Sequence, residues 1–195
     1  MYITPDASKR VTVKDMIQDV LAAEYEHLSL MSLRVDEDTL NEQTLIDYKI
    51  KHNNSIVEVN EATGNGATDA FFKSIIMYFN HLKSIKSMQL KSFEVKADLL
   101  KSKIGTDAKV FVNTQFCNGV QCANFSHSDF SIITACCKCM LKAIEYFLNC
   151  ELAFKKMKLI IEDAKARNRG DIVSAFEYKI AMLVNSSISN YIEVQ

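Results

Sequence analysis

The feature that most constrains the fold is the stretch at residues 56–72, where a strand-like sequence passes through a Gly-Asn-Gly turn into a helix-like one. Ile56 and Val59 are β-branched, and such side chains suit a pleated sheet. Gly64 and Gly66 stand where the backbone must turn sharply, and glycine takes positive φ angles at no steric cost. The stretch therefore predicts a strand that leads directly into a helix.

The N-terminus of this predicted helix is a candidate anion-binding site. The first backbone N–H groups of a helix lack partners, and the positive end of the helix dipole lies there, so a carboxylate or phosphate is favoured. The alternative is a strand-to-helix corner in which the glycines only allow the backbone to turn and bind nothing. For so short a motif this is the more common case. On the turn alone, both interpretations stay open.

Composition limits the class of protein. A chain of 195 residues with 5 Gly and 1 Pro is expected to form one sizeable core from helices and strands. Its net charge of −1 gives no electrostatic footprint for nucleic acid. No run approaches the roughly 20 apolar residues that span a bilayer, and Met1–Arg10 has no apolar signal core. We therefore expect a cytoplasmic protein without a nucleic-acid or membrane partner.

The six cysteines allow a disulfide framework, a metal site or free thiols. Cys136, Cys137 and Cys139 lie in one apolar helical run, which favours burial. Cys117 and Cys122 flank a turn-like Asn-Gly pair, but the paired short spacings of a zinc ribbon are missing. We interpret the cysteines as reduced, mostly buried thiols, and we predict no metal and no cofactor.

The periodicity of the first half predicts a helix and two strands before the turn. Thr12 and Asp15 form a capping-box pattern, and the apolar helical spacing that follows extends to Leu28. The acidic residues 36–41 are interpreted as a connection. Residues 44–60 then predict a hairpin of two antiparallel strands.

The second half repeats this order about 60 residues later. Residues 88–100 alternate between apolar and polar side chains, residues 108–116 predict the next strand, and a short strand follows at 120–125. Ser126-His127-Ser128 is interpreted as a second corner, now without glycine, before a long helix that ends near Leu148. These elements predict an α+β fold with both helices on one face of a sheet. Residues 151–195 predict a separate αα-hairpin.

With these elements in order, the chain resembles the C-terminal regulatory (leucine-feedback, dimerisation) domain of 2-isopropylmalate synthase, which citramalate synthase shares. The residues that carry the resemblance are Ala62-Thr63-Gly64-Asn65-Gly66-Ala67-Thr68-Asp69-Ala70, Leu90-Lys91-Ser92-Phe93 with Ala97, Gly105-Thr106-Asp107-Ala108, and Ser128-Asp129 before Ile132-Ile133-Thr134-Ala135. Residues 11–25 also resemble the helical subdomain that precedes this domain in the family.

The resemblance implies two βββα units related by a pseudo-twofold axis, with a short helical subdomain before them and the αα-hairpin after them. We expect a helical linker subdomain at 1–41, the regulatory domain at 42–149 and the hairpin at 150–195. By similarity, the effector pocket is drawn from Asn65, Gly66, Thr68, Asp69, Leu90, Phe93, Ala97, Ala108 and Val110.

The implied function is a non-catalytic module that binds a branched-chain amino acid, leucine or isoleucine, and that forms a homodimer or pairs with a catalytic synthase chain. Asp69 is a candidate acceptor for the effector's ammonium, or alternatively a first-turn helix stabiliser. Two departures concern effector identity: Ala67 replaces the family's usual proline, and Phe93 stands where tyrosine is common.

We expect no catalytic residues, because the barrel and the His-x-His metal pair of the synthase have no counterpart in this sequence. The alternative is a structural interaction scaffold in which the effector pocket is vestigial and the hairpin binds another protein. A third hypothesis is an enzyme with an unfamiliar site around His127, Asp129 and the cysteines.

Overall fold

A computed structural model describes residues 12–99, 107–119 and 121–185, which form two units of three strands and a helix with further helices around them. In chain order the first elements are α1 (Val13–Leu21), a 3-10 turn (Ala22–Glu24), β1 (Leu28–Asp38), β2 (Gln43–His52), β3 (Ser55–Gly64) and α2 (Ala67–Tyr78). They are followed by α3 (Lys83–Lys86), β4 (Gln89–Ala97), β5 (Val110–Cys117), β6 (Cys122–Asp129), α4 (Ile132–Ala166) and α5 (Gly170–Asn185). The predicted α+β class with two βββα units is confirmed. Gly105 of the predicted motif and the last part of the predicted hairpin lie outside the described residues.

The predicted capping box is present at α1. Thr12 Oγ1 accepts a hydrogen bond from the Asp15 N–H at 3.1 Å, and Asp15 Oδ2 accepts one from the Thr12 N–H at 3.0 Å. The expected extension of this helix to Leu28 is wrong, because α1 ends at Leu21 and Ala22 takes a φ of 51°. The chain then turns and enters β1 at Leu28.

Strand β1 was not predicted from the periodicity. It pairs antiparallel with β2 from Leu28 opposite His52 to Asp38 opposite Gln43, so the acidic residues 36–38 belong to a strand rather than to a connection. A bulge between Leu30 and Ser32 shifts the register. Because a bulge inserts one extra residue, the apolar positions before and after it no longer share one period of two. The alternation that would have revealed the strand is therefore broken between Leu30 and Ser32.

The strands form two antiparallel sheets of three strands each, in the orders β1-β2-β3 and β4-β5-β6. The predicted corner at residues 126–128 is wrong, because these residues continue β6 and pair with β5, His127 opposite Val112. A polar Ser-His-Ser sequence has low strand propensity, but the ladder to β5 overrides that preference here. The chain leaves the sheet at Asp129 instead.

The main core lies between the sheets and the helices α2 and α4. Along β2 every second residue from Thr44 to Ile50 is buried, and along β5 the same holds from Val110 to Phe116. The opposite positions of both strands are exposed or half-buried, so the sheets carry their helices on one face. The largest completely buried side chains of this core are Tyr48, Phe71, Phe79, Phe116 and Phe147.

The predicted break between the long helix and the hairpin is wrong, because α4 continues for 35 residues, from Ile132 to Ala166. Residues 149–151 contain neither glycine nor proline, and nothing in the backbone chemistry stops the helix there. The hairpin therefore consists of the second half of α4 and of α5, with Asn168 at φ 56° in the turn. A second core cluster joins this part to α1 through Ile17, Cys150, Met157 and Leu183, among other residues.

Two elements span the boundaries expected between the segments. Strand β1 pairs with β2 across the boundary at residue 41, and helix α4 continues through the boundary at residue 149. The division at 1–41, 42–149 and 150–195 into functional domains stays a prediction.

The prediction that all six cysteines are reduced is wrong for two of them. Cys117 and Cys122 form a disulfide, whereas reduced thiols were expected. The two residues face each other as the last pair of the β5–β6 ladder, with their Cα atoms 4.0 Å apart. Cys136, Cys137, Cys139 and Cys150 are free and buried, as expected of packed thiols. Among the described residues no group of three or more His, Cys, Asp or Glu side chains is placed to hold a metal ion.

Candidate functional site

The Gly-Asn-Gly turn is fixed by two different constraints. A Cβ on Gly64 would lie 2.4 Å from the backbone nitrogen of Ala70 and 2.7 Å from its Cα, so no side chain fits there. Gly66 has φ 156° and ψ 161°, a combination that is essentially restricted to glycine. The expectation of positive φ is confirmed for Gly66, while Gly64 is required because the first turn of α2 packs directly against the end of β3.

The first turn of α2 has no side-chain cap. Asp69 turns back towards the glycine turn, where its Oδ2 accepts a hydrogen bond from the Asn65 N–H at 3.0 Å and lies 2.6 Å from Lys73 Nζ. The bond from Lys73, and then that from Asn65, hold the pKa of Asp69 below its usual value. This geometry fits a first-turn helix stabiliser, and the role of Asp69 as an acceptor for a ligand's ammonium stays a prediction.

The turn also lies next to the second unit. Helix α2 packs against α4, and Thr68 lies near the Cys136 thiol at the start of α4. One turn further along α2, the rings of Phe72 and Phe116 have their centroids 5.5 Å apart, which joins α2 to β5. The uncapped end of α2 is therefore held between the two units.

The remaining predicted residues form a group on the second sheet. Ala97 of β4 is the Cα partner of Val110 of β5, and Phe93 is the partner of Thr114. Val110 is buried, Ala108 is half-buried, and Leu90 is exposed like Phe93 and Ala97. The single chain thus places the turn group on the first unit and the strand group on the second.

Strand β4 carries an uncovered apolar strip. We call Leu90, Phe93, Val95 and Ala97 the β4 strip, because each faces a buried residue of β5 and so lies on the helix-covered face of the sheet. Helix α4 packs over β5 and β6. The first three members remain 41%, 46% and 38% exposed. The core face of the second sheet therefore continues beyond its helix as open apolar surface.

Comparison with known proteins decides how this architecture is classified. A family model described as the LeuA allosteric (dimerisation) domain matches residues 9–148. The chain belongs to this family. The search of curated proteins found no match to the chain.

Membership of the LeuA allosteric domain family confirms the resemblance to the regulatory domain of 2-isopropylmalate synthase. It makes the chain a regulatory and dimerisation module of the LeuA type, and it supports assembly with a second copy or with a synthase. The matched range ends within α4, so the second half of that helix and all of α5 lie beyond the LeuA domain match.

Of the groups named for an enzymatic site, Asp129 forms an ion pair and Cys137 is buried. Asp129 Oδ2 lies 2.7 Å from Lys138 Nζ, and burial, with help from nearby lysines, lowers the pKa of His127. Burial raises the pKa of Cys137 to about 12, so its thiol is protonated at neutral pH. Since the thiolate is the nucleophile, a buried thiol of this kind is inert.

Sequence reasoning missed two features that only the packing of the elements creates. The alternation of residues 88–100 predicted β4 but gave no sign that its apolar face is left open, because coverage depends on where α4 lies. The second feature is a cavity between α1 and α4, lined in part by Lys14 and Lys142. These two lysines are far apart in the sequence, and only the packing of α1 on α4 brings them together.

Within the part of the chain that the structure describes, no helix has the length and apolar character needed to cross a bilayer.

Proposed function

We propose that the chain is a non-catalytic, dimerising sensor of a branched-chain amino acid, leucine or isoleucine, of the kind that gives feedback control of leucine biosynthesis in the cytoplasm. The observation that carries the proposal is the match to the LeuA allosteric (dimerisation) domain together with the open β4 strip. An apolar strip on the core face of a sheet is stabilised when another surface covers it.

The start of α2 supports the carboxylate half of effector binding. Gly66 precedes the helix without offering a side-chain cap, so the first-turn amides remain available to an anion. Asn65, Thr68 and Asp69 surround this point. The positive end of the helix dipole adds a favourable field for the carboxylate.

The strand group supports the apolar half. Leu90, Phe93 and Ala97 offer hydrocarbon surface for a branched side chain, beside Ala108 and the buried Val110. In one copy Leu90, Phe93 and Ala97 face solvent, so a second copy is required to enclose them. We therefore place the effector at or near the interface between two copies, where it would be covered on both sides.

Thermal unfolding of the purified chain with leucine, isoleucine or valine tests this proposal, with D-leucine as the matched control. A ligand that binds only the folded state stabilises it by about 2.7 kcal/mol at 100 times its Kd. We expect a clear rise in the unfolding temperature with L-leucine or L-isoleucine and none with D-leucine. If the unfolding curves with millimolar concentrations of all four amino acids were the same as without them, the proposed sensor function would be contradicted.

The alternative, an interaction scaffold with a vestigial effector pocket, is favoured by a specific observation on the helical hairpin. Leu159 and Tyr178 are 66% and 68% exposed on the part of the chain beyond the family match. In this alternative the double variant Leu159→Ser and Tyr178→Ser should lose a binding partner or an oligomeric contact while its unfolding temperature stays unchanged. An unaltered mass in solution and unaltered partner capture would count against the scaffold.

A further inference from the structure

A cavity of about 240 Å³ lies between α1, the start of β1, β6 and α4, away from the turn and the β4 strip. Its lining includes Lys14, Tyr25, Phe125, Lys142, Glu145 and Tyr146. This volume exceeds the roughly 150 Å³ of a protein cavity that binds benzene, so it is enough for an organic acid of a few carbons.

Two cationic side chains converge on this cavity without an acidic partner. The half-buried Lys142 donates a hydrogen bond from Nζ to the Ser126 carbonyl oxygen at 2.9 Å. Among the residues that the structure describes, no carboxylate lies within ion-pair distance of Lys14 or Lys142. Burial lowers the pKa of Lys142, and the charge of Lys14 adds to that effect, while Cys139 and Glu145 act in the opposite direction. An anion between the two ammonium groups would relieve this unfavourable arrangement.

The acidic residue of the cavity is engaged elsewhere. Glu145 Oε2 accepts a hydrogen bond from the Leu28 N–H at 2.8 Å, and its Oε1 accepts one from the Tyr25 hydroxyl at 3.3 Å. Burial and the neighbouring Glu145 raise the pKa of Tyr25, so its hydroxyl stays a donor. Glu145 therefore fixes the start of β1 to α4, and its single negative charge offsets only one of the two lysine charges, which leaves a net positive lining.

Ile17, Leu28 and Phe125 form the apolar part of the lining, to which Ser126 and Asn149 add polar groups. We propose that the cavity binds a small aliphatic carboxylate, with the carboxylate between Lys14 and Lys142 and the hydrocarbon chain against Ile17, Leu28 and Phe125. With two lysines and one glutamate the lining carries a net positive charge, which favours a ligand that brings a carboxylate and no ammonium group. This site is distinct from the proposed amino-acid site and does not depend on it.

Isothermal titration of the full chain with 3-methylbutanoate tests the proposal, with isobutylamine and inorganic phosphate as further probes. The variants are Lys142→Met and Lys14→Met, and Lys158→Met on the exposed side of α4 is the matched control. Each charge-assisted hydrogen bond is worth enough that we expect about a tenfold loss of affinity in either cavity variant and none in the control. Lys14 is exposed, so its replacement keeps the test valid if Lys142→Met impairs folding.

Binding of 3-methylbutanoate to the wild type, with that loss in Lys14→Met and no binding of isobutylamine, supports the site. No binding of the carboxylate, equal affinity in Lys14→Met and wild type, or binding of phosphate alone would overturn it. Leucine is titrated in parallel: leucine binding that survives both cavity variants belongs to the other site, so the two proposals fail separately.

Discussion

Gly64 and Gly66 are two residues apart, yet the structure requires glycine at each for a different physical reason. At Gly66 the backbone angles exclude other residues, and at Gly64 the backbone of Ala70 occupies the space that a Cβ would need. A close approach of two backbone segments leaves nothing flexible to move aside. The turn is therefore a rigid connection, which suits a site whose first-turn amides must stay in place.

Gly64→Ala should accordingly destabilise the fold. We expect the free energy of unfolding to fall by about 1–3 kcal/mol, the usual cost of forcing an extra methyl group into a filled space. Urea unfolding measures this. Gly170→Ala is the matched control, because a Cβ at the start of α5 would meet nothing within 4 Å, and alanine there should stabilise by about 0.4–1 kcal/mol. Equal effects of the two replacements would contradict the packing described for the turn.

At the scale of single elements, β4 differs from the other strands because all of its residues are exposed. It is an edge strand of its sheet, and its apolar residues lie on the face that β5 buries beneath α4. Exposed edges that carry apolar side chains are usually covered or charged in monomeric proteins. The β4 strip is therefore the surface that we expect to be buried between two copies of the chain.

Phe93→Ser should weaken dimerisation, because it removes the largest apolar member of the β4 strip. Aromatic side chains near the centre of an interface dominate its energy, so we expect the dimer dissociation constant to rise about tenfold or more. Phe111→Ser is the control: it is 41% exposed against 46% for Phe93, but it pairs with Lys96 and lies on the other face of the sheet. Light scattering after size-exclusion chromatography gives the masses. If both variants dissociated alike, the assignment of the β4 strip would be wrong.

The sequence predicted those elements whose own residues carry a regular apolar pattern or a specific turn or cap. Strands β2 to β5, the start of α2 and the capping box at α1 have regular patterns or specific turn residues, and they were predicted. Strand β1 was missed because its bulge interrupts the alternation, and residues 126–128 were misassigned because pairing with β5 overrides their weak propensity. The disulfide depends on two cysteines meeting across a ladder, which spacing alone does not show.

For the candidate site, the sequence predicted the geometry of the glycine turn and the apolar character of β4. The sequence assigned the turn to the first unit and the strand group to the second, but it could not predict whether the two groups meet in a single chain, because that depends on how the units pack. That the glycine turn and the strand residues form one pocket was inferred from the family resemblance alone. The match over residues 9–148 confirms the family but does not test the pocket. The pocket stays a proposal that a second copy of the chain would complete.

At the scale of the whole molecule, α4 is the element that connects everything else. Its first half covers the second sheet and its second half packs against α1 and α5, so one helix of 35 residues belongs to both core clusters. At 1.5 Å per residue such a helix is about 52 Å long. Movement at one end can therefore be passed to the other through a single rigid element.

Met157→Ala tests this connection. Met157 is completely buried in the second cluster, and its truncation should lower the free energy of unfolding by about 2–5 kcal/mol. Leu159→Ala, two residues away on the same helix but 66% exposed, should change it by no more than about 0.5 kcal/mol. Thermal or urea unfolding distinguishes them, and a mild effect at Met157 would show that α1 and the hairpin are not packed as described.

Hydrogen–deuterium exchange of the full chain, with and without saturating L-leucine, tests the central claim most directly. An effector held at the start of α2 and against the β4 strip should slow exchange in peptides that cover residues 64–72 and 89–97, while peptides from α5 stay unchanged. Unchanged exchange in both of those regions, or protection confined to the cavity between α1 and α4, would contradict the account of an amino-acid sensor built on the glycine turn.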